Sequence, residues 1–154
     1  MIIFEPGQPR KLYSKRYLHT DEEPLFINGQ QQIFLRKNNH IVAPAICYEL
    51  SIPEHAKHAY DNGADIYLVS VAKTAEGMKN ATQILSNTAA NYSMTVLLAN
   101  CVGYCDNFLS SGRSSIWNKK GDLIGQLNDM DEGLLVFDTK TEQVIEQYSL
   151  KNNR

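Results

Sequence analysis

Three apolar strands separated by helical stretches constrain this chain more than any other feature of its sequence. From Ile41 to Cys47 the residues Ile41, Val42, Ala43, Ala45 and Ile46 form an almost unbroken apolar run. A half-exposed strand alternates apolar with polar residues, whereas a continuous run is buried on both faces, as in a parallel sheet. Ile66 to Val71 and Thr95 to Asn100 are two more such runs. Between the first two, Ser51 and Glu54 have the spacing of a capping box, Pro53 fits a first helical turn, and Gly63 is a stop. Between the second and third, a helix is expected from Asn80, with Gln83 at its third position. Ile84, Leu85, Thr88, Ala89 and Tyr92 then share helical spacing. Strands are also expected from Met1 to Phe4 and from Gln32 to Arg36, with Lys37 to His40 as the turn before the first apolar run. The end of the chain changes character. Ser114–Trp117 and Leu123–Leu127 flank a turn at Asn118–Gly121, and Leu134–Phe137 and Gln143–Gln147 flank a turn beginning at Asp138, which is the pattern of antiparallel hairpins. The expectation is a single α/β (α+β) domain over residues 1–154, with helices covering a sheet.

The charge balance narrows the function classes. Fifteen Lys and Arg against seventeen Asp and Glu leave a net charge of −2, which argues against a surface for nucleic acid phosphates or anionic lipid. No apolar run approaches the ~18 residues that span a bilayer. The opening Met-Ile-Ile-Phe-Glu-Pro lacks the basic start of a secretory signal, so a cytoplasmic protein is expected. Three cysteines, Cys47, Cys101 and Cys105, are an odd number and argue against a disulfide framework; mostly buried thiols are expected. His55 and His58 with Cys101 and Cys105 have only loose spacings for zinc, so no metal is expected, and the C-x-x-x-C spacing is not that of a redox pair.

Cys47 stands at the carboxyl end of its strand, directly before a helix. Ligands bind at that end of open α/β sheets, and a helix N-terminus favours negative charge. By position Cys47 is therefore either a nucleophile on a strand–turn–helix elbow, with the Tyr48 backbone N–H aimed at an oxyanion, or a buried structural thiol. A thiol that attacks an amide also needs a group for the oxyanion and a base for the proton. Tyr13-Ser14-Lys15-Arg16-Tyr17-Leu18-His19 and Asp21-Glu22-Glu23 offer such groups, although taken alone they read as a solvated loop.

These segments together resemble the carbon–nitrogen hydrolases, the nitrilase superfamily. Tyr13 to His19 is similar to the family's Y-x-K-x-x-L segment, and Ala45-Ile46-Cys47-Tyr48-Glu49 to its nucleophile strand. Asn62-Gly63-Ala64-Asp65, Ala99-Asn100 with Gly103, and Gly112-Arg113-Ser114-Ser115-Ile116 with Gly121 follow in the family's order and extend the resemblance over nearly the whole chain. The resemblance implies an α-β-β-α sandwich and a Glu–Lys–Cys site that needs no metal or organic cofactor. In it Cys47 is the nucleophile and forms a thioester, Lys15 and the Tyr48 N–H stabilise the oxyanion, and Glu23 is an accessory carboxylate, with Glu22 as the alternative. True nitrilases read C-W-E where this chain reads Cys47-Tyr48-Glu49, which favours small amide or ureido substrates over nitriles.

The chain departs from the family pattern at its start. The family's general-base glutamate lies well upstream of the lysine, and here only fourteen residues precede Lys15. Glu5, in Phe4-Glu5-Pro6-Gly7, is not at that position. The expectation is thus the C-terminal part of the domain, an incomplete sandwich lacking the N-terminal portion, with an apolar sheet face left to associate. Two outcomes stay open: an amidase-like hydrolase, as a homo-oligomer or with a partner supplying the missing part, or an inactive fragment or association subunit. Thr88-Ala89-Ala90-Asn91-Tyr92 also lacks the Arg and Glu of the family's R-A-x-E-N segment.

Overall fold

The computed structural model describes residues 1–149; residues 150–154 of the expected domain lie outside the described residues. A six-stranded sheet organises the chain, in the order β10-β9-β6-β5-β4-β3. Its centre is the three apolar runs: β4 (His40–Ile46), β5 (Ile66–Val71) and β6 (Thr95–Asn100), mutually parallel. β3 (Leu35–Lys37) adds antiparallel to β4, and β9 (Ser115–Trp117) and β10 (Leu123–Gln126) add antiparallel beyond β6. Three two-stranded ribbons complete the fold: β1 (Ile2–Ile3) with β2 (Lys11–Leu12), β7 (Val102–Cys105) with β8 (Phe108–Ser111), and β11 (Gly133–Phe137) with β12 (Val144–Tyr148).

Helices α1 (Pro53–Asp61) and α2 (Ala75–Tyr92) cover one face of the sheet. Alternate residues of the central strands meet them there: Ala43 and Ala45, then Tyr67, Val69 and Val71, then Val96 and Leu98, packed with Ala56, Ala59, Met78, Leu85 and Ala89. On the other face, Leu68 and Leu97 line a cavity of about 310 Å³ under Leu135 and Phe137 of the β11–β12 hairpin. The described residues thus supply one helical layer and one main sheet of the expected sandwich. Farther out, Phe4, Leu12, Phe26 and Ile27 are exposed, as are Leu134, Val136 and Ile145.

Several boundaries differ from the sequence expectations, each for a local reason. The first strand contracts to Ile2–Ile3 because only those residues pair with Lys11–Leu12. The strand expected from Gln32 starts at Leu35, since the Gln32 side chain is drawn inward to His55 and His58 instead. The turn after β3 is only Asn38–Asn39, both at positive φ, the two-residue geometry whose twist matches a hairpin. The Ser51–Glu54 capping box does not form. Cys47–Ser51 is a 3-10 turn that absorbs Ser51, and α1 starts with Ile52 at its cap position, without a side-chain cap, and Pro53 at its first position. Gly63, at φ +79°, follows the end of α1 as expected. Helix α2 begins at Ala75, five residues before Asn80, because the Thr74 hydroxyl accepts from the Gly77 N–H. The β7–β8 hairpin has no counterpart among the expected strands. The turn between β9 and β10 is held against α2: the Ser86 hydroxyl donates to the Gly121 carbonyl at 2.8 Å, and a Cβ on Gly121 would stand 2.7 Å from the Ser86 carbonyl oxygen.

Candidate active site

At the end of β4 the chain leaves the sheet through Cys47, whose φ is +47°. A non-glycine residue in this left-handed region costs on the order of 1–3 kcal/mol, and such residues cluster at functional sites. The sharp turn ends the strand at Ile46 and lifts Cys47, half-buried, to the carboxyl edge of the sheet. Tyr48 is in the first turn of the 3-10 segment, where backbone N–H groups have no intrahelical partner.

Lys15 approaches from an irregular segment after β2. This segment is fixed by the Tyr13 N–H on the Met1 carbonyl and the Gly29 N–H on the Lys15 carbonyl. The Lys15 side chain is 12% exposed, and its ammonium forms an ion pair with Glu22. Glu22 also accepts from the His19 N–H at 2.7 Å. The Lys15 hydrogen bond first, and then the His19 N–H, hold the Glu22 carboxyl below the usual carboxylate range. The Lys15 ammonium meets Glu22, the alternative, and not Glu23, the residue favoured from the sequence. Glu23 is exposed and gives only its backbone N–H to the His19 carbonyl. The imidazole of His19 meets the Tyr48 ring edge-on at 5.0 Å, so the Lys15–Glu22 turn packs on the residue after Cys47. A cleft of about 330 Å³ opens beside them, with Lys15 and Glu22 among its polar walls and Leu18, Phe26, Ile27 and Ile46 among its apolar ones. Such a volume suits a small ligand. Glu5 is elsewhere, in an exposed ion pair with Lys11.

Beneath the cleft runs a buried polar chain that the sequence reading missed. Glu49 is fully buried and accepts from the Tyr13 hydroxyl at 2.8 and 2.9 Å, from the Arg16 N–H at 2.6 Å and from the Ile46 N–H at 2.8 Å. His55, also fully buried, continues the chain: its Nε2 lies 3.0 Å from the Tyr13 hydroxyl and its Nδ1 2.7 Å from the Tyr67 hydroxyl. Tyr13 spends its one proton on Glu49, so His55 Nε2–H donates to Tyr13 and His55 Nδ1 accepts from Tyr67, a tautomer inferred from the network. A neutral imidazole satisfies both contacts, with Glu49 Oε2 3.7 Å from Nε2. Burial first, then the charges of Arg16 and His58, lower the His55 pKa from 6.5 to about 4. Burial and the Glu49 carboxylate push both phenols up. The only sequence signal for this chain was a charged residue two places after Cys47 in an otherwise apolar stretch.

The neutral His55 carries a pH prediction. Its folded pKa lies below its unfolded one, so between pH 6.5 and about 4 the unfolded chain binds the extra proton. The contribution is fully present above pH 6.5 and is lost as pH falls toward 4, by at most about 3 kcal/mol. Urea unfolding at stepwise pH should show this slope in the native chain and lose it in His55→Gln. A flat profile in the native chain would mean that His55 is not held neutral.

The other two cysteines stand at the end of β6 and in β7. Cys101 is exposed and Cys105 half-buried, against the expectation of mostly buried thiols. A hydrogen bond with the Cys101 thiol is the first cause that raises the Cys105 pKa. His55 is engaged with Tyr13 and Tyr67, and His58 with Gln32. Among the described residues, no helix is long and apolar enough to cross a membrane.

The fold thus places an elbow cysteine at the carboxyl edge of a parallel-centred sheet and a lysine–glutamate pair in the wall of a small cleft. The carbon-nitrogen hydrolase family model matches residues 1–148, and the chain belongs to that family. A Staphylococcus aureus protein named "Hydrolase in agr operon" is 28% identical over 106 residues, covering 69% of this chain and 40% of its own length. Among solved structures, glutamine-dependent NAD+ synthetase from Acinetobacter baumannii matches with a TM-score of 0.81 at 22% identity, over 93% of this chain and 29% of that one. An amidase from Nesterenkonia sp. AN1, solved with the acetamide moiety of fluoroacetamide added covalently at its active-site cysteine, matches with a TM-score of 0.72 at 21% identity, over 89% of this chain and 49% of that one. The fold is that of the nitrilase superfamily, and the chain spans well under two thirds of each of these proteins.

Proposed function

We propose that this chain carries the acyl-transfer half of an amidase-like carbon–nitrogen hydrolase site acting on a small amide or ureido compound. The observation that carries the reading is the backbone of Cys47 at φ +47° on the strand-to-helix turn, with the Lys15–Glu22 turn packed on the neighbouring Tyr48. The Cys47 sulfur attacks the amide carbonyl carbon, and its thiol proton passes to a base. The tetrahedral oxyanion is met by Lys15 and the Tyr48 N–H. The C–N bond then breaks, the nitrogen takes a proton and leaves as ammonia or an amine, and the acyl group remains as a thioester. Water attacks the thioester, the C–S bond breaks, and a carboxylic acid leaves. Glu22 orients the Lys15 ammonium through their ion pair. Its engagement with Lys15 and His19 makes it a poor general base, so the base is assigned to a group outside these residues, on a segment packed beside them. The exposed Phe4, Leu12, Phe26 and Ile27 are suited to such packing.

Acyl capture tests the reading. The full chain is incubated with p-nitrophenyl acetate, an activated acyl donor that needs little help from a base, and digested for mass spectrometry. The expected result is an acetyl group on the Cys47 peptide that hydroxylamine removes, formed faster than any label on Cys101 or Cys105. Equal labelling of the three thiols would leave the inert association subunit as the better description.

A further inference from the structure

The Lys15 segment and the Cys47 turn do not belong to one sheet ladder, so something else must hold them in register. Tyr13 to Leu18 lies outside every strand, and Cys47 begins a 3-10 turn. The side chain that bridges them is Glu49. Its Oε1 accepts from the Tyr13 hydroxyl at 2.8 Å and the Arg16 N–H at 2.6 Å, and these two residues bracket Lys15. Its Oε2 accepts from the Tyr13 hydroxyl at 2.9 Å and from the Ile46 N–H at 2.8 Å, directly before Cys47. One carboxylate therefore holds the backbone next to each of the two groups that the proposed reaction brings together, at Arg16 after Lys15 and at Ile46 before Cys47.

We infer that Glu49 is a positioning residue: its buried carboxylate staples the Lys15 segment to the Cys47 elbow and so sets the ammonium against the thiol. The inference rests on the proposed roles of Cys47 and Lys15. Glu49 acts through these residues, since both of its oxygens are already taken by protein donors and it has 0% exposure. A glutamine of the same shape could not replace it. Its one acceptor oxygen would serve one side of the staple, and its amide N–H would point at a donor on the other. The buried donor left without a partner then pushes the two segments apart. Tyr13 contributes one strut of the staple, and its other neighbour, His55, supports the hydroxyl from behind at 3.0 Å.

The test compares, at one pH in the full chain, acetylation of Cys47 by p-nitrophenyl acetate, which builds an oxyanion, with its alkylation by iodoacetamide, which does not; the ratio of the two rates cancels the reactivity of the thiol itself. Loss of register should lower this ratio at Cys47 by about tenfold in Glu49→Gln, a part of what loss of a whole oxyanion donor costs. The ratio at Cys101 and Cys105 should not change. In a Lys15→Met background the same substitution should leave the ratio where Lys15→Met alone put it, because the ammonium that Glu49 positions is already gone. Should Glu49→Gln not fold, Tyr13→Phe removes one strut and is expected to move the ratio in the same direction by less. An unmoved ratio in these variants, with Cys47 fast in the native chain, would overturn the positioning role alone. So would an equal change in the Lys15→Met background. A native Cys47 no faster than Cys101 would remove the catalytic reading, and this role with it.

Discussion

Cys47→Ala should abolish acyl capture, a loss on the order of 10⁶-fold where removal of a nucleophile is measured in full. The alanine keeps the Cβ, so the turn at φ +47° carries the same backbone cost as before. Folding stability should therefore change little, and the loss should be chemical. The thiol is half-buried, and its removal leaves a gap at the edge of the sheet, outside the core formed by Val69, Leu85 and Val96. Cys101 and Cys105 lie beyond β6, and the hydrogen bond with the Cys101 thiol, then burial, push the Cys105 thiol up. Intact mass after exposure to p-nitrophenyl acetate gives the readout, with thermal unfolding as the control for folding. A stable Cys47→Ala protein that still gains the hydroxylamine-sensitive acyl group would eliminate the thioester route.

The site was partly written in local sequence and partly hidden in distant pairs. Cys47 could be found because a buried strand running into a helix fixes where the elbow falls, and Lys15 because its flanking Tyr13 and Leu18 complete a family-like segment. The central strands were legible for the same reason, since burial on both faces removes the polar alternation. The sequence reading favoured Glu23 over its neighbour Glu22, because adjacent carboxylates differ only in the turn that carries them. That turn brings the His19 N–H and the Lys15 ammonium to Glu22, three places after His19. Glu49 and His55 were opaque for another reason: their partner Tyr13 lies 36 and 42 residues away in sequence. At helix starts the local signals competed. Gly77 reads as a breaker, yet its N–H is the one that Thr74 caps, while Ser51 and Glu54 matched a capping pattern that the 3-10 turn had already consumed. The β7–β8 hairpin was masked by Gly103 and by the two-residue turn at Asp106–Asn107, which break any apolar alternation.

Lys15→Met should slow acylation of Cys47 by about 10²–10³-fold, the loss typical of one oxyanion donor. An ammonium offers three N–H donors, and Glu22 takes one. The others remain for an oxygen that becomes negative as the sulfur adds to the carbonyl. The lysine side chain is only 12% exposed, so its charge acts through less water than a surface lysine would. Methionine keeps the length of the stem but leaves the Glu22 carboxylate in the cleft without its cation. That negative charge opposes both the thiolate and the oxyanion, so the double variant Lys15→Met/Glu22→Gln should recover part of the rate. Glu22→Gln alone should cost less than Lys15→Met, because it loosens the ammonium without removing it. Pre-steady-state acylation kinetics on folded variants give the ordering directly. If Glu22→Gln proves as damaging as Lys15→Met and the double variant recovers nothing, then Glu22 itself handles a proton in the reaction, and Lys15 is its partner and not the oxyanion donor.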